Sequence, residues 1–258
     1  FAVEKLNMEN LLSFNSLSPE MAKFVEAAVN GALNVLISGG TGSGKTTTLN
    51  IFSGFIPSDD RIVTIEDSAE LQLQQPHVVR LETRPANLEG KGEITQRDLV
   101  KNSLRMRPDR IVLGEVRGAE AVDMLAAMNT GHDGSLATIH ANTPRDALSR
   151  VENMFAMAGW NMSAKNLRAQ IASAIHLVVQ MERQEDGKRR MVSICEINGM
   201  EGEIITMSEI FKFHRKGLDE DGNVLGYFTA TGVVPQCHDQ LSKKGLHLSF
   251  DIFNESYT

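Results

Sequence analysis

The chain has 258 residues, of which 41% are hydrophobic, 23% charged and 5% aromatic, and its formal net charge is −7. This length suits one large domain, or a main domain with a smaller one. The acidic balance and the few aromatic residues argue against broad affinity for nucleic acid or anionic membranes. Because the sequence has no apolar run of the ~20 residues that a membrane-spanning helix needs, and its two cysteines lack metal-ligand spacing, we expect a cytoplasmic protein.

Short apolar runs alternate with amphipathic segments over the first two thirds of the chain. Helices are predicted to begin at Ser18-Pro19, Thr95 and Thr143-Pro144, because a capping hydroxyl precedes proline or an acid there. A further helix follows a glycine-rich loop at 46–52. The predicted strands are 34–38, 61–66, 110–115 and 135–140, with 77–83 as one arm of a hairpin. This alternation predicts an α/β fold with a mostly parallel sheet covered on both faces.

The pattern changes near residue 174. Two Asp-Gly pairs, at 186–187 and 221–222, predict hairpin turns that join 175–182 to 189–197 and 209–214 to 224–229. We therefore expect residues 1–182 to form the α/β domain and residues 183–258 a small β-rich C-terminal appendage. Phe1 in place of Met predicts a fragment of a longer protein.

Residues 39–46, GGTGSGKT, satisfy the pattern G-x-x-x-x-G-K-[ST] in full. Glycines let successive backbone N–H groups turn toward phosphate oxygens, at the positive end of the helix that follows. Lys45 supplies a mobile charge for the β- and γ-phosphates, and Thr46 offers a hydroxyl to Mg²⁺. The motif predicts a nucleotide site built from these residues: Gly40, Thr41, Gly42, Ser43, Gly44, Lys45, Thr46 and Thr47.

Acidic residues follow two of the predicted strands. Glu66 and Glu70 lie in EDSAE, and Glu115 ends RIVLGE. The carboxyl ends of parallel strands face the ligand crevice, where a hydrolase needs one carboxylate to orient water and others to hold Mg²⁺ waters. The alternatives are a solvated acidic turn and a plain core strand. Gly114 stands where a Walker B strand usually has an acid, so Mg²⁺ is expected to depend on Thr46, phosphates and waters, with Glu115 acting through water.

Two histidines, His132 and His140, stand on either side of the predicted strand 135–140. A lone histidine is more often a hydrogen-bonded core residue than a catalytic one. His140, however, ends a strand of the same sheet, so it is expected to point toward the γ-phosphate. Its expected role is to sense that phosphate, because P-loop hydrolysis depends on positioning more than on a general base.

Arginines cluster on the predicted loops. For any single arginine a solvated surface is the simpler interpretation. An oligomeric ATPase nevertheless needs arginines that cross the subunit boundary to stabilise transition-state charge. Arg84 and Arg105 are the candidates for that role.

Taken together, these stretches resemble the type II/IV secretion-system ATPases. GGTGSGKTT is similar to their Walker A motif, and IEDSAEL to their Asp box. RMRPDRIVLGEVRGAEAVDML is similar to their atypical Walker B motif, and TGHDGSLATIHANTP to their His box. A glycine before the Walker B glutamate is usual in that family. The segments SLSPEMAKF, INGMEGEIITMSEIF and FTATG are most similar to the Tad (Flp) pilus assembly ATPases, the CpaF group.

The resemblance implies a RecA-like P-loop NTPase core, a homo-hexamer with ATP or ADP bound between subunits, and Mg²⁺-dependent hydrolysis. It also implies that the family's N-terminal domain is absent from this sequence. It assigns phosphate and Mg²⁺ binding to Lys45 and Thr46, catalysis to Glu70 and the Walker B role to Glu115. His132 and His140 become the His-box histidines.

The implied partners are inner-membrane pilus platform proteins, through which the motor is peripheral to the inner membrane, and no nucleic acid. The implied work is pilus assembly, with retraction or related secretion left open. Two alternatives use the same core. A nucleic-acid motor is disfavoured by the acidic charge and scarce aromatics, and a nucleotide switch without hydrolysis is disfavoured by Glu70 and Glu115.

Overall fold

The structure is a computed structural model that describes residues 6–255. Its centre is one nine-stranded sheet with the order β3-β2-β4-β5-β1-β6-β7-β8-β9. The strands are β1 (Val35–Gly39), β2 (Ile62–Glu66), β3 (Val78–Glu82), β4 (Arg110–Val116), β5 (Leu136–His140), β6 (Leu177–Arg183), β7 (Arg189–Glu201), β8 (Ile204–Leu218) and β9 (Val224–Ala230).

Helices cover both faces of this sheet. They are α1 (Met8–Ser13), α2 (Pro19–Asn30), α3 (Lys45–Ser53), α4 (Gln96–Ser103), α5 (Glu120–Asn129), α6 (Pro144–Met157), α7 (Ala164–Ala174) and α8 (Cys237–Lys243). Side chains of α1, α2, α3 and α8 pack in one apolar core, and those of α4, α5, α6 and α7 in another. The side chains of successive β1 residues pack on opposite faces of the sheet, because side chains alternate across a strand. Ile37 packs in the first core and Leu36 in the second. Among the described residues, every helix is too short or too polar to cross a membrane.

The predicted parallel sheet is confirmed. The pairs β3–β2, β2–β4, β4–β5, β5–β1 and β1–β6 are all parallel. The predicted helix starts also form as expected. Ser18 Oγ accepts the Met21 N–H at 3.2 Å, and Thr95 and Asp98 form a reciprocal capping box at the start of α4.

The prediction of a hairpin arm at 77–83 is wrong. Strand β3 pairs in parallel with β2, from Ile62↔Val78 to Glu66↔Glu82, and forms one edge of the sheet. The chain reaches that edge through residues 67–77, which cross back without regular secondary structure. Such a crossover leaves no helical periodicity in the sequence, so a short β-rich run after it reads like half of a hairpin.

The C-terminal strands continue the same sheet. Strand β6 pairs in parallel with β1 and antiparallel with β7, and β7, β8 and β9 follow as an antiparallel meander. Both predicted Asp-Gly turns join antiparallel neighbours, the first β6 to β7 and the second β8 to β9. Phe211 of β8 packs against Phe24 of α2 with ring centroids 5.7 Å apart. The meander therefore shares a core with the parallel part, and the division into domains at residue 182 stays a prediction.

Asn34 ties together the starts of three strands. Its side chain is fully buried; Oδ1 accepts the N–H groups of Gly134 and Ser135 at 2.8 and 3.0 Å, and Nδ2 donates to Ala174 O at 2.7 Å. Its backbone N–H donates to His176 Nδ1 at 2.8 Å. These contacts join the residue before β1 to the segments before β5 and β6. They fix the ends of the three central strands relative to one another.

Candidate functional site

The loop at 40–44 joins β1 to α3. Gly42 and Gly44 have φ angles of +70° and +92°, a region that glycine occupies without strain. Gly44 is also the N-cap of α3, and no side chain caps that helix. Because the first N–H groups of a helix have no acceptor within it, the start of α3 offers its donors to a ligand. This is the arrangement that binds phosphate.

Lys45 bends back over this loop. Its Nζ donates to Gly40 O at 2.8 Å, and Ser43 Oγ donates to the same oxygen at 2.8 Å. Burial lowers the pKa of Lys45; Glu115 opposes that shift, and Arg117 adds to it. The ammonium group therefore lies within electrostatic reach of the acid predicted to act at the Walker B position. A phosphate oxygen can replace Gly40 O as its acceptor.

A cavity of about 970 Å³ lies against the loop, which is large enough for a cofactor-sized ligand. The cavity is lined by residues 42–48 of the loop and α3, by Leu11 and Phe14 near α1, and by Met181 and Arg189 of the β6–β7 hairpin. The cavity thus combines N–H donors and cations with an apolar surface. That combination suits a nucleoside polyphosphate, which carries an anionic chain and a planar base.

Arg117 connects the two acidic segments. Its Nε donates to Glu115 Oε2 at 2.9 Å, and its Nη1 lies 3.4 Å from Asp67 Oδ2. Asp67 also accepts from Gln96 Nε2 at 3.0 Å. The segment after β2 and the end of β4, which are far apart in sequence, therefore meet where the loop lies. This is the edge of the sheet formed by the C-terminal ends of the parallel strands.

Glu66 and Glu70 have different surroundings. Glu66 is 3% exposed, and its Oε1 accepts the N–H groups of Glu70 and Leu71 at 3.0 and 2.9 Å. Burial raises the pKa of Glu66, while these two hydrogen bonds oppose the shift. The Glu70 side chain is exposed. The structure thus commits Glu66 to shaping its own loop and leaves Glu70 free to meet water, although both catalytic assignments stay predictions.

Steric crowding by Glu66 explains why residue 114 is a glycine. A Cβ atom there would lie 3.1 Å from Glu66 Cγ, closer than ordinary van der Waals contact. Glu66 cannot yield readily, because two backbone N–H groups hold its carboxylate. An aspartate at this position would also place a second carboxylate beside a buried one. Glu66 thus occupies the space that a side chain at the preceding Walker B position would take.

The two histidines lie at opposite ends of strand β5. His140 ends β5 directly opposite Gly39 in the parallel ladder, so it lies at the edge that carries the glycine-rich loop. His132 precedes β5, and a strand of this length spans roughly 16 Å. Its Nδ1 is buried without a hydrogen-bond partner among residues 6–255. Within one chain the structure brings His140, but not His132, to the loop; nucleotide binding by His132 stays a prediction.

Arg84 and Arg105, the arginines predicted to act across the subunit boundary, lie outside the cavity. Arg84 follows the edge strand β3 and donates Nε to Gly92 O at 2.7 Å. Arg105 lies in a 3₁₀ turn before β4, at the opposite edge from the loop, and both side chains are exposed. Sequence reasoning instead missed Arg189, which lines the cavity. Its only signal was its place beside the Asp-Gly turn, since the sequence does not show that β6 pairs with β1.

The donors for Mg²⁺ at this edge are few. Thr46 stands on the first turn of α3, and Glu115 is a partly exposed residue near the end of β4. Within residues 6–255, no group of three or more His, Cys, Asp or Glu side chains is placed to hold a metal. This donor set fits a Mg²⁺ ion that keeps waters and binds substrate phosphates, as Mg²⁺ usually does.

Comparison with known proteins gives consistent relatives. Residues 2–229 match the family described as Type II/IV secretion system protein. A putative conjugal transfer protein of Mycobacterium tuberculosis is 45% identical over 194 residues, which cover 75% of this chain and 54% of that protein. The type IV secretion system protein VirB11 of Bartonella quintana is 35% identical over 196 residues, covering 74% of this chain and 54% of that protein.

Among solved structures, the VirB11 ATPase of the Brucella suis type IV secretion system, crystallised with sulphate, matches with a TM-score of 0.62 and 29% identity. The match covers 74% of this chain and 56% of that one. It confirms the predicted RecA-like fold. The chain spans about half the length of the curated relatives it matches.

The close approach of Glu66 to Gly114 predicts that an acid at position 114 is unfavourable. We expect Gly114→Asp to lower the free energy of unfolding by at least ~2 kcal/mol, through overpacking and like-charge repulsion at Glu66. Gly114→Ala, which adds only the Cβ, should cost less. Urea denaturation at neutral pH measures both. A Gly114→Asp protein as stable as the wild type would contradict the steric explanation.

Proposed function

We propose, from the premise that this chain belongs to the type II/IV secretion system protein family, that it is the ATP-hydrolysing part of a secretion or pilus motor. The observation that carries the proposal is the uncapped start of α3 beside Lys45, on the wall of a cavity of about 970 Å³. Donors, a cation and space for a base are present together. The acids at the ends of β2 and β4 supply what hydrolysis needs in addition.

Each side chain then has a defined part in ATP hydrolysis. Lys45 exchanges Gly40 O for β- and γ-phosphate oxygens, and the N–H groups at the start of α3 hold the phosphate chain. Thr46 and Glu115 would hold a Mg²⁺ ion, which would neutralise phosphate charge. Glu70 orients the attacking water, and His140 senses the γ-phosphate. Glu66 keeps the Glu70 backbone in place through its hydrogen bond at 3.0 Å.

The finer assignment follows the sequence resemblance. The motor is proposed to power assembly of a Tad (Flp)-type pilus, as a homo-hexamer on the cytoplasmic side of the inner membrane that acts on platform proteins there. The exposed positions of Arg84 and Arg105, outside the cavity of their own chain, support roles at a subunit boundary. A heterologous contact repeated around a closed ring would bring a neighbour's surface to each site.

The first test removes the phosphate-binding cation. Lys45→Ala should reduce ATP hydrolysis at least ~100-fold, because the lost contact forms with the phosphates, while the fold persists. In the free protein the Lys45 ammonium donates a hydrogen bond to Gly40 O within its own loop. Phosphate release and circular dichroism measure the two effects. Lys165→Ala, an exposed lysine on α7, is the matched control. Activity of Lys45→Ala within threefold of wild type would refute the site.

The second test separates the two glutamates. Glu70→Ala should slow turnover at least ~100-fold and leave the Kd for ATP nearly unchanged, since orienting water matters on the way to the transition state. Glu66→Ala should lower the free energy of unfolding by about 1–3 kcal/mol, because it leaves two N–H groups unpaired. Single-turnover kinetics and urea denaturation distinguish the two. The assignment fails if Glu66→Ala stays fully stable yet loses hydrolysis while Glu70→Ala hydrolyses normally.

The third test concerns the ring. If neighbours complete each site, specific activity should rise with protein concentration. Mixing in Glu70→Ala chains should depress activity by more than their fraction, because a blocked site disturbs its neighbours. Titrated mixtures, assayed for phosphate release beside light scattering, give both results. A fully active monomer with strictly linear dilution behaviour would exclude shared sites.

A further inference from the structure

The hairpin of β6 and β7 lies directly beside the glycine-rich loop. Strand β6 pairs with β1 up to Gly39↔Met181, where β1 ends. A Cβ atom on Gly39 would lie 2.5 Å from Met181 O, so the loop begins in close contact with β6. Two residues farther along, Arg183 is paired across the hairpin with Arg189. Both guanidinium groups are therefore carried to the loop by the sheet itself.

Both arginines approach glycines of the loop. Arg189 Nε donates to Gly42 O at 3.2 Å, and its Cγ lies 3.5 Å from the position that a Cβ on Gly44 would have. Arg183 Nη1 lies 3.8 Å from the corresponding position on Gly42. The two cations thus border the same loop whose N–H groups are turned toward phosphate.

The acids of the hairpin turn are committed to other partners. Asp186 pairs with Arg190 at 3.2 Å, with both side chains almost fully buried, and Glu185 pairs with Arg215 at 2.6 Å. Burial opposes ionisation of Asp186, but the backbone N–H groups of Lys188 and Val224 together with Arg190 lower its pKa. The turn acids are therefore held by partners other than Arg183 and Arg189. Two like charges directly opposite each other in a ladder destabilise it, and an anion bound between them would remove that cost.

We propose that Arg183 and Arg189 form a clamp on the phosphate chain of the nucleotide bound at the loop of the same subunit. The inference rests on the proposed nucleotide site and adds a second cationic wall to it. Guanidinium groups suit this task, because their planar fork matches phosphate oxygens and keeps its charge. On binding, Arg189 exchanges Gly42 O for a phosphate oxygen.

The clamp also gives the meander a link to the nucleotide. Arg189 is the first residue of β7, and β7 pairs with β8 from Ser193 to Glu201. A shift of Arg189 toward phosphate acts on the first ladder of the antiparallel strands. Unlike Arg84 and Arg105, which are proposed to act on a neighbour's site, the clamp needs no second subunit.

Titration calorimetry on the full chain at fixed ionic strength tests the clamp. MgATP and Mg-tripolyphosphate are the two probes, because the second has phosphates but no base. Arg183→Ala and Arg189→Ala should each raise the Kd for both probes about tenfold, the effect of a lost charge-assisted hydrogen bond. Arg189→Lys should recover part of that loss. Arg150→Ala, an exposed arginine on α6 that changes the net charge equally, should bind both probes within twofold of wild type.

Three outcomes would overturn the clamp. Unchanged Kd values in both alanine variants, beside lost binding in Lys45→Ala, would leave the nucleotide site intact and remove the clamp. Weaker binding of MgATP but not of tripolyphosphate would place the contact on the base or ribose. A lower melting temperature without ligand in Arg189→Ala, with unchanged Kd values, would make Arg189 only a tether for Gly42. Failure of the wild-type chain to bind either probe would instead contradict the proposed function itself.

Discussion

The side chain of Asn34 holds the geometry on which the site depends. One buried carboxamide joins the residue before β1 to the segments before β5 and β6. With the starts of these strands fixed, the ladders run in register to Gly39, His140 and Met181 at the opposite edge. The glycine-rich loop leaves the sheet at that point. The strand ladders that begin at Asn34 therefore place His140 on one side of the loop and the β6–β7 hairpin, with Arg183 and Arg189, on the other.

Electrostatics at this edge are balanced by contacts within the chain. Lys45 is bonded to Gly40 O, and Arg117 joins Glu115 to Asp67. A polyphosphate with Mg²⁺ can replace these contacts with stronger ones, because charges gain more from pairing in a partly buried site than at the surface. Glu66 is the exception, since its hydrogen bonds hold the loop backbone. The site thus has a fixed scaffold and a set of exchangeable charges.

Sequence alone predicted the parallel core, the helix caps and the loop, because each depends on local patterns: apolar runs, Ser or Thr before Pro, and glycine spacing. It did not predict that β3 joins the sheet in parallel, since an irregular crossover has no helical periodicity. It also did not reveal why residue 114 is glycine or that Arg189 lines the cavity. Those features come from strand order and from the volume of Glu66, which arise only when distant segments pack.

The central claim is that nucleotide phosphates bind at the loop after β1. Hydrogen exchange of the wild-type chain with and without MgATP tests it most directly, because the N–H groups at 40–47 would gain acceptors. We expect slower exchange at 40–47, extending to the hairpin residues 183–190, with little change around His132 at the opposite end of β5. Unchanged exchange at 40–47 under saturating MgATP, or protection confined to another part of the sheet, would contradict it.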